Sequence, residues 1–220
     1  MPNLDVQTAR FNMIEQQIRP WNVLDATLLQ LLASVRRDAF VPAAYKALAY
    51  ADLEIPLGDG QSMLAPRLEA RLVQDLAIKK TDRVLEVGTG SGFLTALLAQ
   101  LAASVVSLEI HAGRAAQARR NLQQAGIQNA DVREGDGSQG AAGLGPFDVI
   151  VLGGSVAEVP RALLEQLSVG GRLGAVVGDD PVMCGTFITR NSASDFRTVQ
   201  PWDCDAPRLL NFAEKSRFVF

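Results

Sequence analysis

The segment Val84–Gly92 constrains the fold more than any other part of the chain. It reads VLEVGTGSG: a short β-rich run is followed directly by three glycines at alternate positions. A helical pattern begins at Phe93. A glycine-rich turn between a strand and a helix leaves backbone N–H groups open to a polar ligand. In a parallel sheet such turns lie beyond the carboxyl ends of the strands, where ligands bind. The segment therefore predicts an α/β fold with a ligand site at this turn.

Strand and helix patterns alternate throughout the chain after residue 80. We predict strands over 83–87, 104–108, 130–134, 147–152 and 172–177, with helices over 93–101, 112–125 and 159–167. Two more strands, 185–190 and 196–202, are joined by the polar sequence NSASD, which favours an antiparallel pair. This order predicts a seven-stranded, mostly parallel, Rossmann-like sheet with helices on both faces.

The first 80 residues differ from the rest because their pattern is helical with proline breaks. We predict helices over 10–19, 25–36 (with Asp25 as the N-cap), 43–50 and 66–78. Residues 55–66, IPLGDGQSMLAP, are predicted to form an irregular loop because they are rich in glycine, aspartate and proline. We therefore divide the chain into a helical N-terminal extension with this loop, 1–80, and a Rossmann-like core, 81–220, which together form one compact unit.

Composition excludes several other kinds of protein. The chain has 220 residues, of which 48% are hydrophobic, enough for a core that needs neither disulfides nor a metal. A net charge of −3 gives no basic surface for nucleic acid. One histidine and two cysteines cannot build a His-rich or Cys-rich metal site, so we expect no metal. A Ser-His-Asp mechanism would have to use His111.

No segment predicts export or a membrane anchor. The N-terminus lacks the uninterrupted apolar core of a signal peptide. The most apolar stretch, 93–108, contains polar residues and is shorter than the roughly 20 residues of a membrane helix. We therefore expect a cytoplasmic protein without a membrane partner, in which Cys184 and Cys204 are reduced.

The glycine spacing favours S-adenosylmethionine over a dinucleotide. The turn reads G-x-G-x-G (Gly88, Gly90, Gly92), and Phe93 stands where the dinucleotide fingerprint has its last glycine. Glu86 precedes the turn, where its charge would oppose a pyrophosphate but suit the ammonium and sulfonium groups of S-adenosylmethionine. This spacing is that of the class I methyltransferases, and we expect Glu86 to organise the methionine end.

Two further acids end the next two strands. Glu109 lies 21 residues after Gly88 and is placed to accept both ribose hydroxyls, while Asp136 is placed to accept the adenine amino group. The alternative for each is an ordinary solvated carboxylate, but their positions at the ends of successive strands favour a cofactor site. The residues expected to bind the cofactor are Glu86, Gly88, Thr89, Gly90, Ser91, Gly92, Glu109, Ile110, Asp136 and Gly137.

The chain resembles the protein-L-isoaspartate O-methyltransferase family over roughly residues 10–180, and more weakly over the last forty. The N-terminal helices and the G-x-G-Q loop are more specific than the glycine motif, which many methyltransferases share. The matching segments are MIEQQIRP (13–20), Asp25, FVP (40–42), AY (49–50), PLGDGQ (56–61), Pro66, VLEVGTGSGF (84–93), EGDG (134–137), PFDVIV (146–151) and RFVF (217–220).

This resemblance implies an enzyme that transfers a methyl group from S-adenosylmethionine, leaving S-adenosylhomocysteine. The acceptor it implies is the side-chain carboxylate of an isoaspartyl residue in a peptide or protein, methylated for repair. A carboxylate is ionised at neutral pH and needs no general base, which agrees with the lack of a catalytic histidine. The resemblance also implies that loop 58–66 covers the reacting centre.

The loop departs from the family at one important position. The family motif resembles G-Q-T-I-S-x-P, and its serine is the residue assigned to catalysis. Here Leu64 takes the place of that serine, and a leucine cannot donate a hydrogen bond. Ser62 is the remaining polar candidate for the catalytic position. A T-A-A-like segment of the family is also replaced, by Gly153, Gly154 and Ser155.

Three functions therefore remain open. The first is isoaspartyl methylation. The second is methylation of a small-molecule acceptor, because Met63, Leu64 and Phe93 would make an apolar pocket. The third is a homologue that binds S-adenosylmethionine without catalysis. By resemblance, Trp21, Trp202 and residues 206–209 are further candidates for the pocket wall, with core packing as the alternative for both tryptophans.

Overall fold

A computed structural model describes residues 6–214 of the chain, and the RFVF motif at 217–220 lies outside them. The N-terminal part is helical, as predicted, and Asp25 is an N-cap whose carboxylate accepts the N–H of Leu28 at 2.7 Å. The elements of this N-terminal part are α1 (Val6–Asn12), a π-helical stretch (Met13–Ile18), a 3₁₀ turn (Arg19–Trp21), α2 (Ala26–Ser34) and two further 3₁₀ segments (Arg37–Ala39 and Ala43–Leu48).

The prediction of an irregular loop over 55–66 is wrong, because this segment contains an antiparallel hairpin of β1 (Ile55–Gly58) and β2 (Gln61–Met63). Asp59 and Gly60 form its two-residue turn with φ of +50° and +70°. An Asp-Gly pair strongly favours such a two-residue hairpin turn. Pro56 does not prevent strand formation here, because an edge strand tolerates proline. Helix α3 (Pro66–Leu76) follows, two residues shorter than predicted.

A seven-stranded sheet forms the centre of the molecule and confirms the predicted fold class. The strands and helices of this part are β3 (Arg83–Val87), α4 (Phe93–Leu101), β4 (Ser104–Glu109), α5 (Ala112–Gln124), β5 (Ala130–Glu134), β6 (Phe147–Val156), α6 (Arg161–Glu165), β7 (Leu167–Asp179), β8 (Val182–Arg190) and β9 (Phe196–Asp203). The strand order of the sheet is β5-β4-β3-β6-β7-β8-β9, in which only the pairs β7–β8 and β8–β9 are antiparallel.

The central parallel strands β3 and β6 are buried on both faces, which explains their nearly continuous apolar sequences. Val84 of β3 joins one core with α3, α4 and α5. Leu85 and Val87 point to the opposite face and join a second core with Leu163 of α6. The two cores hold the carboxyl ends of β3, β4 and β5 side by side.

Both boundaries of one helix in the second half differ from the prediction. The helix predicted over 159–167 spans only Arg161–Glu165, and β7 already begins at Leu167, which pairs with Phe147. Strand β6 is longer than predicted, because Ser155 and Val156 pair with Val176 and Val177 of β7. Ser155 also bonds to the chain after β9: its N–H donates to Pro207 O at 2.7 Å, and its carbonyl accepts from Leu209 N at 2.9 Å. Within residues 6–214, no helix has the length and apolar character needed to cross a bilayer.

Candidate active site

The glycine turn lies between the end of β3 and the start of α4, as predicted. Gly88, Gly90 and Gly92 have φ of +92°, +56° and +88°, which side chains rarely adopt. The N–H groups of Gly88 and Thr89 donate to Leu108 O at 2.9 and 3.3 Å, so the turn is bonded to the end of β4. A Cβ at Gly88 would lie 2.8 Å from Leu209 Cδ2. Glycine therefore gives the turn both its backbone shape and its open face.

The Glu109 carboxylate at the end of β4 binds this turn. Its Oε2 accepts from Gly90 N at 2.8 Å and its Oε1 from His111 N at 3.1 Å. Arg114 Nε lies 3.4 Å from Oε1. A carboxylate has about four acceptor positions, so lone pairs remain for a ligand hydroxyl.

The Asp136 carboxylate follows β5 and is exposed. It accepts from Ser138 N at 2.8 Å and from Asn211 Nδ2 at 2.9 Å. Partial burial raises the pKa of Asp136, but these hydrogen bonds outweigh it and hold the pKa below its usual value. Asp136 is therefore ionised at neutral pH and bound to the segment that follows β9.

A first pocket, here called the strand-end pocket, lies beyond β3, β4 and β5. Five of the residues expected to bind the cofactor border it: Gly88, Glu109, Ile110, Asp136 and Gly137. The rest of its lining comes from the hairpin, strand ends and the segment after β9: Gln61, Val87, Leu108, Gly135, Leu209, Leu210 and Phe212. Leu209 is one of the residues, 206–209, that the family resemblance predicts for the pocket wall.

A second pocket, the hairpin pocket, adjoins the first at Gly88. It lies between the hairpin and the glycine turn, and its lining consists of Ser62, Met63, Leu64, Glu69, Gly88, Thr89, Gly90, Ser91, Phe93, Leu94 and Gly153. One side of this pocket lies where Gly153 of β6 closely approaches Gly88, which follows β3. A Cβ at Gly153 would lie 2.5 Å from Gly88 O.

Glu86 and Gly92 are the two expected cofactor residues that border neither pocket. Gly92 packs against α5. Glu86 is fully buried in β3, and its Oε2 accepts from Thr95 Oγ1 at 2.5 Å and Ser107 Oγ at 2.6 Å. Ser107 Oγ is in turn 2.5 Å from Thr89 Oγ1, so the hydroxyl groups of Ser107 and Thr89 link Glu86 to the glycine turn by hydrogen bonds.

Burial raises the pKa of Glu86 to about 8, against the hydrogen bonds from Ser107 and Thr95. Its Oε1 is buried and has no hydrogen-bond partner among the described residues. Burial therefore favours the protonated form of this side chain at neutral pH. In residues 6–214, no three His, Cys, Asp or Glu side chains are grouped so that they could hold a metal.

Comparisons with known proteins agree with this geometry. Residues 8–195 match the family model of protein-L-isoaspartate(D-aspartate) O-methyltransferase. A protein-L-isoaspartate O-methyltransferase of Koribacter versatilis is 40% identical over 195 residues, which are 89% of this chain and 87% of the relative. One from Yersinia enterocolitica is 40% identical over 191 residues, 87% of this chain and 92% of the relative.

The chain belongs to the protein-L-isoaspartate(D-aspartate) O-methyltransferase family. The predicted family and enzyme class are thereby confirmed. Solved structures agree on the fold: a Plasmodium falciparum protein described as a protein-L-isoaspartate O-methyltransferase superposes with a TM-score of 0.76 at 20% identity, covering 91% of this chain and 95% of the other. A second protein-L-isoaspartate O-methyltransferase gives 0.65 at 25% identity, covering 83% and 62%.

The family's serine position is occupied by a buried leucine that borders the hairpin pocket. Leu64 is 3% exposed and follows β2. Ser62, two residues earlier, also borders this pocket, but its hydroxyl donates to Glu54 Oε2 at 2.9 Å. The two tryptophans border neither pocket: the Trp21 ring lies under Arg67 (4.4 Å), and Trp202 Nε1 donates to Asp75 at 2.8 Å.

Sequence reasoning missed a buried ion pair beneath the hairpin pocket. The Arg37 guanidinium is fully buried, donates to Glu69 Oε2 and lies 4.8 Å from the centre of the Phe93 ring. It also donates to Leu64 O at 2.6 Å. No local signal marks this pair, because its members are 32 residues apart and each stands in an ordinary-looking helical segment.

Proposed function

We propose that this enzyme transfers the methyl group of S-adenosylmethionine to the side-chain carboxylate of an isoaspartyl residue in a peptide or protein. The observation that carries this proposal is the junction of the two pockets at Gly88. One pocket presents the residues suited to the cofactor, and the other lies under the hairpin where the family binds its acceptor. Family membership and the relatives' shared name support the same reaction.

The residues bordering the strand-end pocket fit the cofactor. We propose that the backbone from Gly88 to Gly92 holds the methionine part, that Glu109 binds the ribose, and that Asp136 binds the adenine amino group. The acceptor lone pairs of Glu109 and the ionised state of Asp136 support these roles. Ile110 and Gly137 complete the adenosine side. The related Plasmodium falciparum structure was solved with S-adenosyl-L-homocysteine.

Glu86 acts on the cofactor indirectly in this proposal. Its hydrogen bonds through Ser107 to Thr89 fix the turn that receives the methionine part. When bound, S-adenosylmethionine supplies a methyl group on a sulfonium, and its positive charges favour the ionised form of nearby carboxyl groups. The side chain of Glu86 is therefore a positioning residue rather than a direct ligand.

The chain's main task is to hold an acceptor oxygen in line with that methyl group. An isoaspartyl carboxylate is already ionised, so no general base is required. The apolar side chains of Met63, Leu64 and Phe93 exclude water from the hairpin pocket, and exclusion of water favours methyl transfer between charged groups. Ser62 remains a proposed polar contact, provided that its hydroxyl leaves Glu54 when the acceptor binds.

We also propose that residues 1–80 and 81–220 work as one unit, in which the extension supplies the acceptor side. Both pockets contain residues from each part, which supports a single working unit. A cytoplasmic location is proposed as well, and the free thiols of Cys184 and Cys204 suit a reducing compartment.

Methylation of matched peptides tests the proposed function. Purified enzyme, labelled S-adenosylmethionine and an isoaspartyl peptide should give a base-labile methyl ester, whereas the peptide with the normal aspartyl linkage should give none. If the enzyme binds S-adenosylhomocysteine but forms no ester above the no-enzyme rate, the isoaspartyl proposal is wrong.

A second candidate function is methylation of a small apolar acceptor, which the apolar lining of the hairpin pocket favours. Turnover on a metabolite mixture without turnover on isoaspartyl peptide would select it. Cofactor binding without turnover on peptide, protein or metabolite would select a non-catalytic homologue.

A further inference from the structure

We propose that Glu69, in its protonated form, binds the acceptor carboxylate and supplies the hydrogen-bond donor that Leu64 cannot. This inference rests on the proposed isoaspartyl function and identifies the group that recognises its acceptor. Binding of the acceptor to enzyme with ionised Glu69 then takes up one proton from solution.

Glu69 occupies a position suited to this role. It lies in the first turn of α3, is 3% exposed and borders the hairpin pocket together with Leu64 and the glycine turn. Arg37 donates to both the Glu69 carboxyl and the Leu64 carbonyl. One guanidinium therefore fixes Glu69 beside the position where the family has its serine.

The other hydroxyl groups at this pocket are less available. The Ser62 hydroxyl donates to Glu54, and the Thr89 hydroxyl is bonded to Ser107. Ser91 belongs to the turn assigned to the cofactor, and the neighbouring Met63 and Leu64 side chains offer an anion no donor. A protonated carboxyl at Glu69 would provide an O–H donor aligned by Arg37.

The charges around Glu69 favour its protonated form once an acceptor carboxylate arrives. Arg37 faces it from the 3₁₀ segment Arg37–Ala39, Glu86 of β3 is near enough for Glu69 to raise its pKa, and the exposed Glu54 precedes the hairpin. An ionised Glu69 would repel an arriving carboxylate, and two neighbouring carboxyl groups share one proton in preference to both ionising. Neutral Glu69 beside Arg37 leaves one positive charge, which matches the single negative charge of the acceptor.

The titration of Glu69 supports this state. Burial raises the pKa of Glu69 to about 7, even though Arg37 acts to lower it. Burial therefore favours the protonated form of Glu69 before the acceptor binds. A bound carboxylate raises the pKa of Glu69 further, because the two like charges disfavour ionisation.

Calorimetry measures the proton directly. An isoaspartyl peptide is titrated at pH 8 into the enzyme saturated with S-adenosylhomocysteine, in phosphate and in Tris, whose ionisation enthalpies differ. Wild-type enzyme should take up close to one proton per peptide, and Glu69→Gln should bind the peptide with no uptake. Peptide binding to the wild type without proton uptake overturns the inference and leaves the proposed function intact.

The pH profile of methylation provides a second readout. For the wild type, kcat/KM should fall about tenfold per pH unit above the pKa of Glu69, because the protonated form is lost. Glu69→Gln keeps a neutral donor and should give a flat profile from pH 6 to 9. The control is Glu165→Gln, which changes an exposed carboxylate paired with Arg161 and should keep the wild-type profile.

Two results separate the inference from the function it rests on. An identical fall with pH in wild type and Glu69→Gln removes Glu69 from acceptor binding while methylation stands. Failure of the wild type to bind or methylate the isoaspartyl peptide at any pH, with S-adenosylhomocysteine bound, removes both proposals.

Discussion

The two adjoining pockets of this enzyme are built by different means. The strand-end pocket consists of backbone at a glycine turn and of acids that end consecutive parallel strands. The hairpin pocket depends on a buried side-chain pair, Arg37 and Glu69, drawn from two elements before the sheet begins. The first is set by local sequence and fold topology, and the second by long-range packing. We expect substitutions to affect cofactor binding in one pocket and acceptor recognition in the other.

The largest effect should come from Arg37→Leu, which leaves Glu69 buried without its cation. Breaking a buried pair in this way costs about 3–5 kcal/mol of unfolding free energy. The loss should be greater at pH 8 than at pH 5.5, since protonation of Glu69 removes the unpaired charge at low pH. Urea unfolding at both pH values measures it.

The double variant Arg37→Met/Glu69→Leu is the matched control, since it removes both charges and should recover much of the stability. A loss below about 1 kcal/mol for Arg37→Leu at pH 8 would contradict the importance of the pair.

Glu109→Ala should have the next largest effect, and on cofactor binding. It removes acceptors for the glycine turn and for the proposed ribose contact, so the Kd for S-adenosylhomocysteine should rise by about 10- to 100-fold. Glu134→Ala, the exposed register partner on β5, should leave the Kd unchanged. Calorimetric titration compares the two, and equal Kd values would remove Glu109 from the site.

Gly153→Ala tests the junction of the two pockets. The new Cβ would lie 2.5 Å from Gly88 O, so β3 and β6 must separate, at a cost of about 1–3 kcal/mol. Gly143→Ala meets no atom within 4 Å and serves as the control. Gly153→Ala should have a lower Tm and a higher Kd for S-adenosylhomocysteine than Gly143→Ala. Equal Tm and Kd values for the two variants would show that the close approach of Gly153 and Gly88 is unimportant.

Asp136→Asn should have the smallest effect. The amide keeps an acceptor for Ser138 but loses the charge that binds Asn211 and the proposed adenine amino group. We expect the Kd for S-adenosylhomocysteine to rise only several-fold, because an exposed group contributes about 1 kcal/mol. If Asp136→Asn raised this Kd as much as Glu109→Ala does, the prediction would be wrong, and the adenosine side of the pocket would be more enclosed than the exposure of Asp136 suggests.

The comparison also explains what the sequence could predict. Gly88 and Glu109 stand next to a strand end, so alternation and spacing were enough to bring them to one edge of the sheet. Arg37 and Glu69 meet because the first turn of α3 lies beside the 3₁₀ segment Arg37–Ala39, and no local pattern specifies this contact. The hairpin at 55–63 was predicted as a loop, although its Asp-Gly turn carried a local signal that its proline content obscured.

A crystal structure of the enzyme with S-adenosylhomocysteine and an isoaspartyl peptide tests the central claim most directly. We expect the adenosine in the strand-end pocket between Glu109 and Asp136, the sulfur at the junction near Gly88, and the isoaspartyl carboxylate within hydrogen-bond distance of Glu69. A peptide carboxylate bound away from the hairpin pocket, or a cofactor whose sulfur faces away from Leu64 and Glu69, would contradict the account.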